Sequence, residues 1–133
     1  MNLFKWRTLP LLMFAALGLT SCGVDEFLVA VQVLPQNATA IVGSPTATVQ
    51  FTAIGWYAPL QSCGYSDCGI DKPNKRVTLT NARWSTSDPA DTTIDPQGGA
   101  ICLAPSLSPA TITATASGGQ FGPISGTAEL ICN

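Results

Sequence analysis

The chain has 133 residues, with six Lys or Arg against eight Asp or Glu, and no histidine. Among the basic residues only Lys72, Lys75 and Arg76 cluster, so the sequence lacks the basic patch of a nucleic-acid-binding protein. Without histidine, the usual general base of Ser and Cys triads and the commonest zinc ligand are missing. We therefore expect a protein that is not an enzyme, with no catalytic residue, no metal site, no cofactor and no nucleic-acid partner.

The first 21 residues have the order of a secretory signal. A basic head with Lys5 and Arg7 precedes an apolar run from Leu9 to Leu19, and the small residues Thr20 and Ser21 follow. The apolar run of about 11 residues is well short of the roughly 20 that a transmembrane helix needs. The sequence therefore predicts export across a membrane and removal of this segment.

The signal ends in the residues LTSC, positions 19–22, which resemble the lipobox of bacterial lipoproteins. The resemblance implies that Cys22 carries a thioether-linked diacylglycerol and becomes the mature N-terminus. Two or three acyl chains hold a protein stably, at roughly 0.8 kcal/mol per buried methylene. Gly23 stands where lipoproteins of the inner membrane often have Asp, so the resemblance favours the outer membrane of the bacterial cell envelope. An ordinary signal that leaves Cys22 as a free thiol stays open.

Processing before Cys22 removes 21 of the 133 residues and leaves 112, enough for one domain. We place the signal at 1–21, the lipidated N-terminus and a short tether at 22–28, and one domain at 29–133. About five tether residues span at most roughly 18 Å, so the domain must lie close to its membrane. Two of the six basic residues leave with the signal, so the mature side chains carry a net charge of −4.

Four cysteines remain for the domain, an even number in an oxidising compartment, which predicts two disulfides. Pairing Cys63 with Cys68 and Cys102 with Cys132 is the least strained of the three connectivities. A C-x4-C pair followed by two widely spaced cysteines does not have the usual spacing of a zinc site.

Alternation of apolar and polar residues predicts strands along most of the domain. Residues 28–34 place Val29, Val31 and Val33 on one face, and residues 46–53 predict a half-buried antiparallel strand. Further on, a short strand is predicted near Thr92–Ile94. The expected inward residues are Ala47, Val49, Phe51, Ala53, Val77, Leu79, Trp84, Ile112, Ala114, Ala116, Ala128, Leu130 and Cys132. About seven short, mainly antiparallel strands predict an all-β sandwich.

Residues 58–76 break this alternation and predict a long loop. Trp56 and Tyr57 precede the loop, and Tyr65 and Asp67 lie between its cysteines. Aromatic residues at the end loops of a sandwich are frequent contact points, so these four form a candidate binding loop. The alternative is that Trp56 and Tyr57 complete the core while the disulfide closes the loop.

Asp88, Asp91 and Asp95 fall within eight residues of one another. Because the segment is rich in turn residues, we expect these carboxylates to accept hydrogen bonds from the local backbone. A carboxylate pair for glycoside hydrolysis and a weak calcium site are the alternatives.

Six segments occur in an order that fits one known family: VQVLP, VGSPTATVQFTAIGWY, VTLTNARWSTSDP, TIDPQGG, PATITATASGG and SGTAEL. They resemble the group 2 bacterial Ig-like domains first associated with surface adhesins of the intimin and invasin type. The resemblance covers about Val29 to Cys132 and implies an Ig-like sandwich without a shared catalytic or ligand motif. The cysteine-bearing loop and the Cys102–Cys132 bridge depart from the family pattern.

These observations predict a lipid-anchored protein of the cell envelope that acts in surface adhesion, protein contact or envelope structure. Its partners would be the membrane, through Cys22, and a protein or glycan at the cell surface. A carbohydrate-binding or calcium-dependent binding module that uses the loop at 58–76 is the competing hypothesis.

Overall fold

The computed structural model describes residues 26–43, 48–59 and 72–133. These ranges contain ten β-strands and no helix, so they hold no helix that could cross a membrane. The strands are β1 (Glu26–Leu34), β2 (Asn37–Ala40), β3 (Thr48–Gln50), β4 (Thr52–Pro59), β5 (Lys75–Thr78), β6 (Arg83–Thr86), β7 (Thr92–Ile94), β8 (Gly99–Cys102), β9 (Ala110–Gly119) and β10 (Gly122–Cys132).

The strands form two sheets that enclose one apolar core. A seven-stranded sheet has the order β2-β10-β9-β1-β4-β5, with β6 also paired to β9, and a three-stranded sheet has the order β3-β8-β7. All pairings are antiparallel except those of β10 with β2 and of β1 with β9. The predicted all-β sandwich of mainly antiparallel strands is therefore confirmed, with more strands than the seven expected.

The first strand begins at Glu26, earlier than predicted, and its alternation is interrupted by a bulge between Leu28 and Ala30. One extra residue in a strand moves the following side chains to the other face of the sheet. Leu28, Val31 and Val33 are consequently buried, whereas Val29 is only partly buried. The predicted inward position of Val29 is wrong for this reason.

The segment predicted as one strand at 46–53 contributes to both sheets. β3 pairs with β8 in the small sheet, and β4 pairs with β1 in the large one. Phe51 lies between the two strands, is 1% exposed, and its N–H donates to the carbonyl oxygen of Gly98 at 2.8 Å. The alternation of Val49, Phe51 and Ala53 survives the change of sheet, which explains why periodicity alone predicted a single strand. Ala47 lies outside the described residues.

Strands occupy both ends of the segment predicted as a loop at 58–76. β4 continues through Pro59, and β5 begins at Lys75 and pairs with β4. β5 has only one strand neighbour and all four of its residues are exposed. Val77, predicted as a core residue, is 38% exposed, because an edge strand with solvent on both sides buries neither face.

The C-terminal hairpin supplies the most regular part of the core. β9 and β10 alternate as predicted, with Ile112, Ala114 and Ala116 buried on one strand and Ala128, Leu130 and Cys132 on the other. Leu79 and Trp84 pack against this core while remaining partly exposed.

β1 crosses the hairpin at Gly126, where an added Cβ atom would overlap the carbonyl of Val31. The absence of a side chain at this position lets the two backbones approach, as glycine within a strand often does. The crossing brings the β1–β4 pair over the β9–β10 hairpin and closes the core.

Candidate functional sites

Several of the predicted site residues lie outside the described part of the chain: Cys22, Cys63, Tyr65, Asp67 and Cys68. The lipidation at Cys22, the Cys63–Cys68 pairing and the tip of the candidate binding loop therefore stay predictions. The other predicted site residues, namely Trp56, Tyr57, Cys102 and Cys132, lie within the described ranges.

Cys102 and Cys132 form a disulfide, as predicted, with their Cα atoms 5.6 Å apart. The bond joins the last residue of β8 to the last residue of β10, and therefore one sheet to the other. Both cysteines are buried, and the hydroxyl of fully buried Thr92 donates to Cys132 Sγ at 3.6 Å. Because both sulfur atoms are buried, we assign the disulfide a structural role.

Trp56 and Tyr57 occupy opposite faces of β4, because successive side chains of a strand alternate. Tyr57 packs against the core, whereas Trp56 lies on the outer face opposite Arg76 of β5. The Arg76 guanidinium lies 5.6 Å from the centroid of the Trp56 ring, in the range of a cation–π contact. One face of the indole is thus occupied, and the two aromatic residues do not form a shared binding surface.

The basic cluster of Lys72, Lys75 and Arg76 is exposed, and two of its members belong to a strand. Lys75 and Arg76 begin β5, and Lys72 precedes it. The Lys75 ammonium group forms an ion pair with Glu26, across the strand that lies between them. Both side chains are partly solvent-exposed, and an ion pair of this kind contributes at most about 1 kcal/mol.

The carboxylates of Asp88 and Asp95 accept hydrogen bonds from the local backbone, as expected, whereas Asp91 takes part through its backbone. Asp95 Oδ1 accepts hydrogen bonds from the N–H groups of Gln97 and Gly99, both at 2.8 Å. Asp88 Oδ1 accepts one longer bond from the N–H of Asp91, at 3.3 Å. Within the described ranges no three His, Cys, Asp or Glu residues are grouped so that they could hold a metal ion.

Replacing Asp95 with alanine should destabilise the domain more than the same change at Asp88. Asp95→Ala removes two short hydrogen bonds to a charged acceptor in a turn where the Phe51 N–H also bonds the carbonyl of Gly98. Bonds to charged groups contribute about 1.5–3 kcal/mol each at most, so we expect a loss of about 2–3 kcal/mol in the free energy of unfolding. Asp88→Ala, with one long bond, should cost less than about 1 kcal/mol. Urea denaturation of both variants measures the difference, and equal losses would contradict the assignment.

An apolar site that the sequence analysis missed lies at the tip of the β9–β10 hairpin. Phe121 at the tip is 93% exposed. Beside it is a groove of about 260 Å³, whose apolar lining residues are Phe27, Leu28, Val29, Phe121, Pro123 and Ile124. The segment SGGQFGP at 117–123 has the composition of a turn. The sequence feature that could have revealed the site is Phe121 among glycines, because turns usually carry small or polar side chains.

No known protein-family model matches this chain, and no curated protein matches it. The likenesses to the lipobox and to the group 2 Ig-like domains rest on the residues quoted for them.

Two further clefts in the described part of the chain are polar or lie over the core. One of about 230 Å³ has Gln50, Thr78, Trp84 and Gln97 among its lining residues. The other, of about 320 Å³, is lined by Asn81, Arg83, Thr115, Ser117 and Pro123. None of the three clefts is lined by a carboxylate, and Arg83 is the single titratable side chain among their lining residues.

Proposed function

We propose that this chain is a lipid-anchored, non-enzymatic β-sandwich of the bacterial cell envelope, which acts through contact with other surface components or as part of the envelope structure. The observation that carries the proposal is the LTSC segment at 19–22, which closes a signal-like stretch four positions before the first strand at Glu26. In this proposal Cys22 is the lipid attachment point, and the sandwich is an Ig-like domain held beside the membrane.

The placement of the titratable groups supports a role without catalysis. Catalytic acids and bases are usually found in clefts that perturb their pKa values. In the described residues the carboxylate of Asp95 is bonded to a turn backbone and Glu26 is paired with Lys75 at the surface. The clefts described above offer no pair of carboxylates or nucleophile with a base.

The lipid anchor is tested first by mass and by fractionation. The full chain, expressed in a bacterium with two membranes, should appear in the membrane fraction with a mass that fits loss of residues 1–21 and addition of acyl chains. The Cys22→Ala variant should lose both the acyl chains and membrane retention. Neither Cys102 nor Cys132 is replaced, so the fold is kept. A wild-type chain that is soluble after export and carries no lipid would refute the anchor.

Protease treatment of intact and lysed cells shows on which side of the membrane the domain lies. Surface contact with other cells requires that the wild-type chain is cut on intact cells. Protection until lysis would place the domain in the periplasm and favour a role in envelope structure over adhesion.

The competing hypothesis, a glycan-binding or calcium-binding module, is separated from the first by ligand binding. Because Arg76 already covers one face of the Trp56 ring, sugar stacking there would require displacement of the guanidinium. Glycan-array binding that is lost in Tyr65→Ala, or that is abolished by a calcium chelator, would favour the module.

A further inference from the structure

The hairpin tip lies at the end of the domain where the chain enters from its N-terminus. Leu28 pairs with Gly119, and residues 27–29 line the same groove as Phe121. Glu26, the first residue of β1, is one position before the groove. Phe121 and the start of the domain are therefore neighbours.

The length of chain between the groove and the predicted anchor is short. Cys22 and Glu26 are four positions apart, so their Cα atoms can be separated by at most roughly 14 Å. A lipidated Cys22 lies at the membrane surface, so the start of β1 and the groove that adjoins it are held close to the headgroups. A small folded domain has a radius of gyration of about 13 Å, so the gap has no room for one.

The opposite end of the hairpin is remote from the tip. Ala110, the first residue of β9, pairs with Leu130, and the loop before it includes Leu107, which is also fully exposed. β9 has ten residues, and a strand rises about 3.3 Å per residue, so the two ends are separated by about 30 Å. Leu107 is thus an exposed apolar residue that the same anchor would hold away from the membrane.

We propose that Phe121 and its apolar groove dock on the lipid bilayer, so that the hairpin tip lies in the headgroup region of the membrane to which Cys22 is anchored. This inference rests on the proposed lipid anchor. Exposed Phe and Leu side chains of peripheral proteins insert at the boundary of headgroups and acyl chains, and burial of the Phe121 ring and the groove beside it offsets the cost of ordering the domain on the surface. Docking turns a tethered domain into one of defined orientation, with the Cys102–Cys132 bond, at the far end of β10, on the side away from the membrane.

Charge contributes little to this contact. Lys72 and Arg76 are exposed near this end, and Lys75 is neutralised by Glu26. Asp71 precedes Lys72 in the sequence and carries the opposite charge. We therefore expect docking to depend on apolar burial and to change little between neutral vesicles and vesicles that contain anionic lipid.

The test uses the full, lipidated chain in phosphatidylcholine vesicles, with tryptophan as a depth reporter. Phe121→Trp and Leu107→Trp are compared with the wild type, whose own Trp56 and Trp84 supply a common background. Phospholipids brominated near the headgroup quench only a tryptophan that enters the interface. The expected result is a blue-shifted additional emission for Phe121→Trp that loses most of its intensity with brominated lipid. Leu107→Trp should show neither effect.

The possible outcomes separate failure of the anchor, failure of docking and a different orientation of the domain. The mass of the purified chain first shows whether Cys22 is lipidated, and a chain without lipid refutes the anchor and, with it, the docking. A lipidated Phe121→Trp variant whose additional emission is unquenched refutes docking alone and leaves the anchor intact. Equal quenching in both variants would refute the proposed orientation. A blue shift without quenching, which grows with protein density in the vesicles, would assign the groove to a second copy of the chain.

Discussion

Phe51→Ala lowers the free energy of unfolding by about 3–5 kcal/mol, the cost of truncating a buried phenylalanine in a core that cannot collapse around the cavity. Phe51 is 1% exposed and lies where the chain passes from β3 in one sheet to β4 in the other. Its side chain belongs to the core shared by both sheets, so the loss affects both at once. Urea denaturation followed by circular dichroism measures the change.

The matched control is the same substitution at an exposed position. Phe121→Ala removes an identical side chain that is 93% exposed, and we expect a change within about 0.5 kcal/mol. If the two variants were equally stable, Phe51 would not be the buried link between the sheets. If instead Phe121→Ala were strongly destabilising in solution, the hairpin tip would pack within the domain and would not be free for a membrane.

Removal of the Cys102–Cys132 disulfide, in the Cys102→Ala/Cys132→Ala double variant, has the second large effect. The bond closes a separation of 30 residues, for which chain entropy predicts a loss of about 3.6 kcal/mol. The two alanines also leave buried volume unfilled beside Thr92, which adds to the loss. We expect thermal unfolding at a clearly lower temperature and a chain that is only marginally folded at about 37 °C.

The comparison variant is Cys63→Ala/Cys68→Ala, which removes the pair predicted for the loop at 58–76. Its cysteines are five positions apart, so chain entropy predicts a smaller loss, about 2 kcal/mol. The expected order of stability is wild type, then the loop variant, then the Cys102→Ala/Cys132→Ala variant. The reverse order would show that the bond between the sheets is not the main covalent constraint. A free-thiol assay of the unfolded wild type checks that both pairs are oxidised.

Local periodicity predicted those strands whose two faces have different surroundings. In β9 and β10, threonines and other polar residues face outward and Ile112, Ala114, Ala128 and Leu130 face inward, so the pattern in the sequence is the pattern of burial. The pairing of Cys102 with Cys132 followed from the strands that carry these cysteines. The backbone-bonding role of Asp88 and Asp95 was predicted because their segment is rich in turn residues, where Asp side chains accept bonds from the local backbone.

Periodicity gave wrong predictions where the burial of a side chain depends on strand pairing with residues distant in the sequence. The bulge after Leu28 follows from the pairing of β1 with β4, and no local residue marks it. Val77 has the pattern of an inward residue but lies on an edge strand, and edge position depends on which strands pair. Trp56 and Tyr57 are adjacent and were grouped as one surface, yet a strand sends neighbours to opposite faces.

The sequence by itself determined the all-β class, the inward faces of the hairpin and one disulfide pairing, because each depends on residue types and on spacing within a few turns or strands. It also carries the whole argument for the lipid anchor, which rests on four residues and the signal before them. Only the tertiary structure decided that β3 and β4 belong to different sheets, that Arg76 covers Trp56, and that Phe121 lies beside the start of β1. These facts join residues up to about a hundred positions apart, and contacts at that distance arise from the pairing of strands and the closing of the core, which a local pattern does not contain.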